Sequence, residues 1–129
     1  MKFIPQTARK IMVVEDDADS RLMMRTLLEM KGYSVIEASD GQEAIKVAER
    51  ERPHLIIMDL QLPRLHGFAV TRHLRQHAEL NEVPIIILSG HDAVNHRPLA
   101  LAAGCNDYLN KPLDFDLLEN ALSRLLPII

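Results

Sequence analysis

The sequence predicts an α/β fold, a three-layer α/β/α sandwich around a five-stranded parallel sheet, and three observations carry that expectation. Ile11-Met12-Val13-Val14, Leu55-Ile56-Ile57-Met58 and Ile85-Ile86-Ile87-Leu88 are unbroken apolar runs, largely β-branched. Runs of this kind suit strands covered on both faces, as in a parallel sheet between helices. Helical patterns fill the intervals, and strand and helix signals alternate five times with short connections. That order selects helices on both faces of one parallel sheet, joined by right-handed crossovers.

The elements follow in order. After the first strand, Asp17 is placed to cap a helix reaching about Lys31, with Met23, Met24, Leu27 and Leu28 as its apolar stripe and Gly32 as its stop. Ser34-Val35-Ile36-Glu37 is a weaker second strand. Asp40 with Glu43 resembles a capping box and opens a helix through Ala44, Ile45, Val47 and Ala48, after which Pro53 resets the chain for the third strand. A third helix from about Gly67 carries Phe68, Val70, Leu74 and Ala78. Val94 to Ala103 reads as the fourth, with Pro98 inside its first turns. Asp107-Tyr108-Leu109-Asn110 completes the strands, and a final helix from near Asp114 presents Leu117, Leu118, Ala121 and Leu125. The 129 residues fit one domain, with its core at about 10–126.

Composition narrows the function classes. The chain is 47% hydrophobic but only 4% aromatic, without Trp, so aliphatic side chains and Met must fill the core. The formal net charge is −3 and no long basic run occurs, so direct nucleic-acid contact is not expected. The single Cys105 has no partner for an internal disulfide, which fits a reducing compartment. Met1 to Lys10 lacks the apolar stretch of a signal peptide, and the longest apolar runs fall far short of a membrane span. The expectation is a cytoplasmic protein without a membrane role.

The polar residues that end the apolar runs are the informative ones. Val14 is followed by Glu15-Asp16-Asp17, Met58 by Asp59, Leu88 by Ser89, and Leu109-Asn110 by Lys111. In a parallel sheet these carboxyl ends share one edge, where ligands of open α/β sheets bind. Carboxylates, a hydroxyl and an ammonium therefore converge, provided that the first, third and fourth strands are neighbours. At about 4 Å and an effective dielectric near 20, each like-charge pair costs roughly 4 kcal/mol. Lys111 supplies too little positive charge for three acids, and a hard divalent ion such as Mg²⁺ is the natural remainder. Phosphoryl transfer to a carboxylate nucleophile is then the favoured chemistry, with Ser89 placed to hydrogen-bond the arriving group.

At these residues the chain resembles the receiver domain of two-component response regulators. The resemblance covers about Lys10 to Leu126 and rests on Val13-Val14-Glu15-Asp16, Asp59-Leu60-Gln61-Leu62-Pro63, Gly67, Ser89-Gly90, Gly104-Cys105-Asn106-Asp107-Tyr108-Leu109 and Lys111-Pro112, in that order. It implies a flavodoxin-like receiver fold with strand order 2-1-3-4-5. It makes Asp59 the phosphoacceptor, supplied by a phosphohistidine on a sensor histidine kinase or histidine phosphotransfer protein in a two-component system or phosphorelay. It implies Mg²⁺ held by Asp16, Glu15, Asp59 and the backbone carbonyl of Gln61, with Lys111 pairing with the phosphoryl group. It further implies a cis Lys111-Pro112 peptide and a coupled Ser89–Tyr108 readout. The face formed by the fourth helix, last strand and last helix would meet a downstream protein, as a monomer or a weak homodimer.

Several positions depart from the commonest pattern of that family: Leu62, Leu65-His66 before Gly67, Gly90 and Cys105. None removes a reacting group. Gly90 would loosen the loop after Ser89, and Gln61 and His91 sit where they would influence dephosphorylation. Plainer readings stand beside the sharp ones. Alone, Asp59 would serve equally as a helix or turn cap. Asp17 is a helix cap in preference to a metal ligand. Tyr108 is open to being a half-buried strand aromatic with no switching role. His73 and His77 have zinc-like spacing but no evident third ligand, and Cys105 reads as a small buried residue in preference to a reactive thiol.

The expected activity is therefore self-catalysed phosphoryl acceptance and release on a signalling switch, and not turnover by an enzyme. A pseudo-receiver that only binds partners is the alternative. An aspartyl-phosphate phosphohydrolase is weaker, because Gln61 stands where such enzymes place a second Asp. The sequence stops at Ile129, just past the last helix, which suggests that no DNA-binding or enzymatic domain is attached. A stand-alone regulator and an excised receiver both fit.

Overall fold

A computed structural model describes residues 9–90 and 93–126, and for 93–95 the backbone alone. Five strands and five helices alternate. They are β1 (Lys10–Val14), α1 (Ala18–Met30), β2 (Ser34–Ala38), α2 (Gly41–Glu51), β3 (Leu55–Asp59), α3 (Gly67–Arg75), β4 (Ile85–Ser89), α4 (Ala93–Ala103), β5 (Asp107–Asn110) and α5 (Phe115–Leu125). The strands form one parallel sheet in the order β2-β1-β3-β4-β5, so β1, β3 and β4 are neighbours as the site requires.

Every residue of β3 and β4 is buried, as the unbroken apolar runs anticipate. Alternate side chains of each strand enter opposite layers. Met12, Val14, Ile56, Met58, Ile85 and Ile87 pack with α2, α3 and α4, through residues that include Ala44, Val47, Val70, Leu74 and Ala100. Ile11, Val13, Leu55, Ile57, Ile86 and Leu88 pack with α1 and α5, through Met24, Leu28, Leu118 and Leu122.

The caps fall where the sequence puts them. Asp17 accepts a hydrogen bond from the Ser20 N–H at 2.8 Å, and Asp40 from the Glu43 N–H at 2.8 Å. The Glu43 carboxylate returns to the Ser39 N–H, one residue earlier than a strict capping box would place it. Asp114 caps α5 through the N–H groups of Asp116 and Leu117. Gly32 stops α1 at φ 96°, a left-handed conformation that suits glycine.

Three helix-face expectations are corrected. Met23 is 54% exposed, because α1 buries only Met24 and Leu28 fully, four residues apart, and Met23 lies to one side of that line. Leu117 is likewise exposed, and α5 turns Leu118, Ala121 and Leu122 to the core. Ala78 is exposed and lies beyond α3, which ends at Arg75.

Candidate functional site

The site is built at the carboxyl edge of the sheet. Val14 of β1 aligns with Met58 of β3, Asp59 with Leu88 of β4, and Ser89 with Asn110 of β5. Backbone hydrogen bonds continue the ladder past the strand ends, from Leu60 N–H to Leu88 O at 2.9 Å and from Lys111 N–H to Ser89 O at 2.8 Å. The residues that end the apolar runs thus arrive side by side for a topological reason.

Carboxylate oxygens of Glu15, Asp16 and Asp59 lie within 4.8 Å of one another. Glu15 and Asp59 are buried and Asp16 is exposed. The Lys111 ammonium lies 3.1 Å from Glu15 Oε1 and 3.2 Å from Asp59 Oδ2. Asp59 Oδ1 accepts from the Gln61 N–H at 3.3 Å, and Glu15 Oε2 from the Asp17 N–H at 3.1 Å. Burial raises the Glu15 pKa, with repulsion from Asp59 adding to it, and hydrogen bonds from Asp17 and Lys111 only partly offset these effects. Burial acts to lower the Lys111 pKa, but attraction to Asp59 and Glu15 outweighs it, and the net shift is upward.

Three carboxylates facing one ammonium leave a negative excess in a half-enclosed cleft. Oxygen donors with open solvent on the Asp16 side suit a small hard cation that retains water, and the cluster fits Mg²⁺. Asp17 spends its carboxylate on the α1 cap, in keeping with its expected role. His73 is exposed and His77 lies 3.5 Å from Glu49, so the histidine pair is on a surface face. The only cluster of metal-binding side chains among the described residues is the acidic one.

Ser89 is fully buried beneath the cleft. Tyr108 is also buried, at 2% exposure, more deeply than a half-covered strand aromatic. Its hydroxyl has no hydrogen-bond partner among the described residues. The Lys111-Pro112 peptide is cis. Cys105 is buried and its thiol is pushed up to about 11, chiefly by burial, which leaves it protonated and unreactive near neutrality. His91 lies outside the described residues.

Two glycines hold the loop that follows Asp59. A Cβ on Gly67 would sit 3.0 Å from Asp59 O, so α3 starts against the backbone of Asp59 itself. A Cβ on Gly41 would collide with the Leu65 carbonyl oxygen, so α2 abuts the far end of the same loop. The sequence shows Gly67 as a helix start and gives no signal for Gly41, whose neighbour is remote along the chain.

A cavity of about 240 Å³ opens beside these groups. Met23, Met24, Ile57, Leu88 and Leu113 make it mainly apolar, with Glu15, Asp59 and Lys111 at its polar end. Leu22, Met23, Met30 and Phe115 line a shallow exposed depression, which shares Met23 with the cavity.

Comparison with known proteins agrees with this geometry. The profile of the response regulator receiver domain matches residues 11–123. Response regulator MprA of Mycobacterium leprae is 40% identical over 90% of this chain and 49% of its own length. The receiver domain of sensor histidine kinase PA1611 from Pseudomonas aeruginosa PAO1, solved with a magnesium ion coordinated in its active site cleft, is 37% identical with a TM-score of 0.83. That likeness covers 91% of this chain and 96% of the other. The complex of the Saccharomyces cerevisiae histidine phosphotransfer protein Ypd1 with the receiver domain of Ssk1 matches at 29% identity and a TM-score of 0.85, over 96% of this chain and 91% of the other. The chain spans about half the length of the curated relatives it matches. Some of those relatives are named as transcriptional regulators, so they lend no support to the expectation that nucleic acid is not a partner. No helix among the described residues is long and apolar enough to cross a membrane.

Proposed function

The chain belongs to the response regulator receiver domain family, and on that premise we propose that Asp59 takes a phosphoryl group from a partner's phosphohistidine and thereby switches a protein-binding surface. One observation carries this reading. The carboxylates of Glu15, Asp16 and Asp59 converge at one strand edge with the Lys111 ammonium between two of them.

In the proposed step an Asp59 carboxylate oxygen attacks phosphorus, a P–O bond forms, and the P–N bond to the donor imidazole breaks. The imidazole leaves with the bonding pair and takes a proton. The product is an acyl phosphate on Asp59, formed by the receiver's own groups. Glu15, Asp16, Asp59 and the Gln61 carbonyl would hold Mg²⁺, which when bound supplies positive charge for the transferring oxygens. Lys111 supplies a second positive charge at the same place. Ser89 and Tyr108 are assigned the readout, Ser89 receiving a hydrogen bond role toward the phosphoryl group and Tyr108 following its movement.

The donor is a sensor histidine kinase or a histidine phosphotransfer protein, as in the Ypd1–Ssk1 complex. Met23 joins the cleft to the exposed apolar depression of Leu22, Met30 and Phe115, a surface that suits contact with such a protein. The face of α4, β5 and α5, where Arg97, Leu117 and Arg124 line a groove, is assigned to the downstream partner. The buried free thiol of Cys105 suits a cytoplasmic setting. Neither the pseudo-receiver nor the phosphohydrolase alternative gains support from the site or the relatives.

The test is intact-mass measurement after incubation with Mg²⁺ and acetyl phosphate. A single phosphoryl adduct that requires Mg²⁺ and is absent from Asp59→Asn is expected. A folded protein that never forms the adduct would overturn the proposal.

A further inference from the structure

We propose that Arg21, braced by Glu37, is a positioning residue that holds the Glu15-Asp16 loop and so raises its affinity for a divalent cation; this rests on the reading of the acidic site above. Arg21 Nη1 donates to the backbone carbonyl of Glu15 at 2.8 Å. That peptide links the two acidic residues, and its orientation decides where both carboxylates point. The far edge of the same guanidinium, Nε, lies 3.3 Å from Glu37 Oε2.

Glu37 stands on β2, next to the β1 strand end, and its second oxygen accepts from Arg25 Nη1 at 2.8 Å. Arg25 is in turn tied to Glu29 at 3.2 Å, so Arg21 ends a chain of ion pairs running along α1. The arginine is only 22% exposed at its side chain and Glu37 only 29%, less open than the outer Arg25–Glu29 pair. From the other side, the Glu15 N–H donates to Ala38 O at 3.1 Å. The Glu15 backbone is thus held at its N–H by the β2 end and at its C=O by Arg21 of α1, which Glu37 of β2 braces.

Charge and position predict opposite signs. If Arg21 acted only as a nearby cation, its removal would tighten binding of a second cation. If it acts by orienting the ligands, removal weakens binding, as loss of groups behind metal ligands generally does. Lysine separates the two, because it keeps the charge but lacks the planar fork that reaches Glu15 O and Glu37 together.

The experiment is calorimetric titration of Mg²⁺ into the metal-free chain, comparing wild type with Arg21→Ala, Arg21→Lys and Glu37→Gln. Both arginine variants are expected to raise the Mg²⁺ Kd ~10-fold, with Glu37→Gln intermediate. Lys31→Ala removes the Lys31–Glu119 pair at the other end of α1 and should leave the Kd unchanged. In the metal-free state, amide exchange at Asp16 and Asp17 should speed up in Arg21→Ala. A Kd that is unchanged or lower in Arg21→Ala, or unchanged in Arg21→Lys, would overturn the proposal. Should Arg21→Ala fail to fold, Arg21→Lys and Glu37→Gln decide the matter. A folded wild type that binds no Mg²⁺ overturns the site reading itself, a result distinct from wild-type binding with indifferent variants.

Discussion

Lys111 shares one ammonium between Glu15 and Asp59, at 3.1 and 3.2 Å, and so joins the ends of β1 and β3 to the end of β5. Removing it leaves two buried carboxylates facing one another. Lys111→Ala should lower the stability of the metal-free chain by about 1–2 kcal/mol, below the range for a fully buried pair because a third of the lysine side chain is open to water. Thermal unfolding with and without Mg²⁺ checks this. The variant should gain more from Mg²⁺ than wild type does, since the ion replaces the missing charge.

The raised Glu15 pKa has a pH signature. Its folded carboxyl holds a proton more tightly than the unfolded chain does, mainly through burial. The associated stability is present at low pH and is lost as pH rises through the folded value. Urea midpoints of metal-free protein measured from about pH 4 to pH 7 should fall more steeply in wild type than in Glu15→Gln. Lys111, raised by its two acidic neighbours, contributes stability throughout that window and loses it only above the ordinary lysine range.

Gly41 meets Leu65 too closely to admit a methyl group. Gly41→Ala would press a Cβ against a backbone carbonyl, which has no rotamer by which to yield. A loss of about 1–3 kcal/mol is expected in the urea midpoint. Gln42→Ala, one residue along on the exposed face, should be nearly neutral.

Asp107 offers both carboxylate oxygens to arginines on different helices, Arg97 of α4 at 3.1 Å and Arg124 of α5 at 2.6 Å. It also accepts from the Tyr108 N–H at 2.8 Å. Asp107→Asn keeps the shape and removes the charge. Both arginines are about half exposed and regain water, so the cost should be about 1 kcal/mol. Added salt should narrow the gap between wild type and variant, since it screens what the variant has already lost.

The strands and the reacting groups were legible because each is a local pattern: an unbroken apolar run, then a polar residue. Asp17, Asp40 and Asp114 were legible as caps for the same reason. Met23 and Leu117 turn outward because apolar neighbours at Met24 and Leu118 take the core, and the helical period alone does not say which of two neighbours holds the centre of the stripe. The remaining contacts depend on register. Arg21 meets Glu37, and Gly41 meets Leu65, only once β2 lies beside β1 and the loop after β3 folds over α2. Nothing in the local sequence of either partner announces the other.

The two glycines also make the walls of the cleft unequal. On the side of β3, Gly41 and Gly67 leave no spare volume around the loop that follows Asp59. On the side of β4, Gly90 is exposed and a Cβ built there meets nothing within 4 Å. A fluorophore or spin label is therefore best mounted at position 90, through Gly90→Cys in a Cys105→Ala background. There it would stand one residue beyond Ser89, outside the crowded wall, and give a chain without tryptophan an optical view of the proposed phosphoryl transfer.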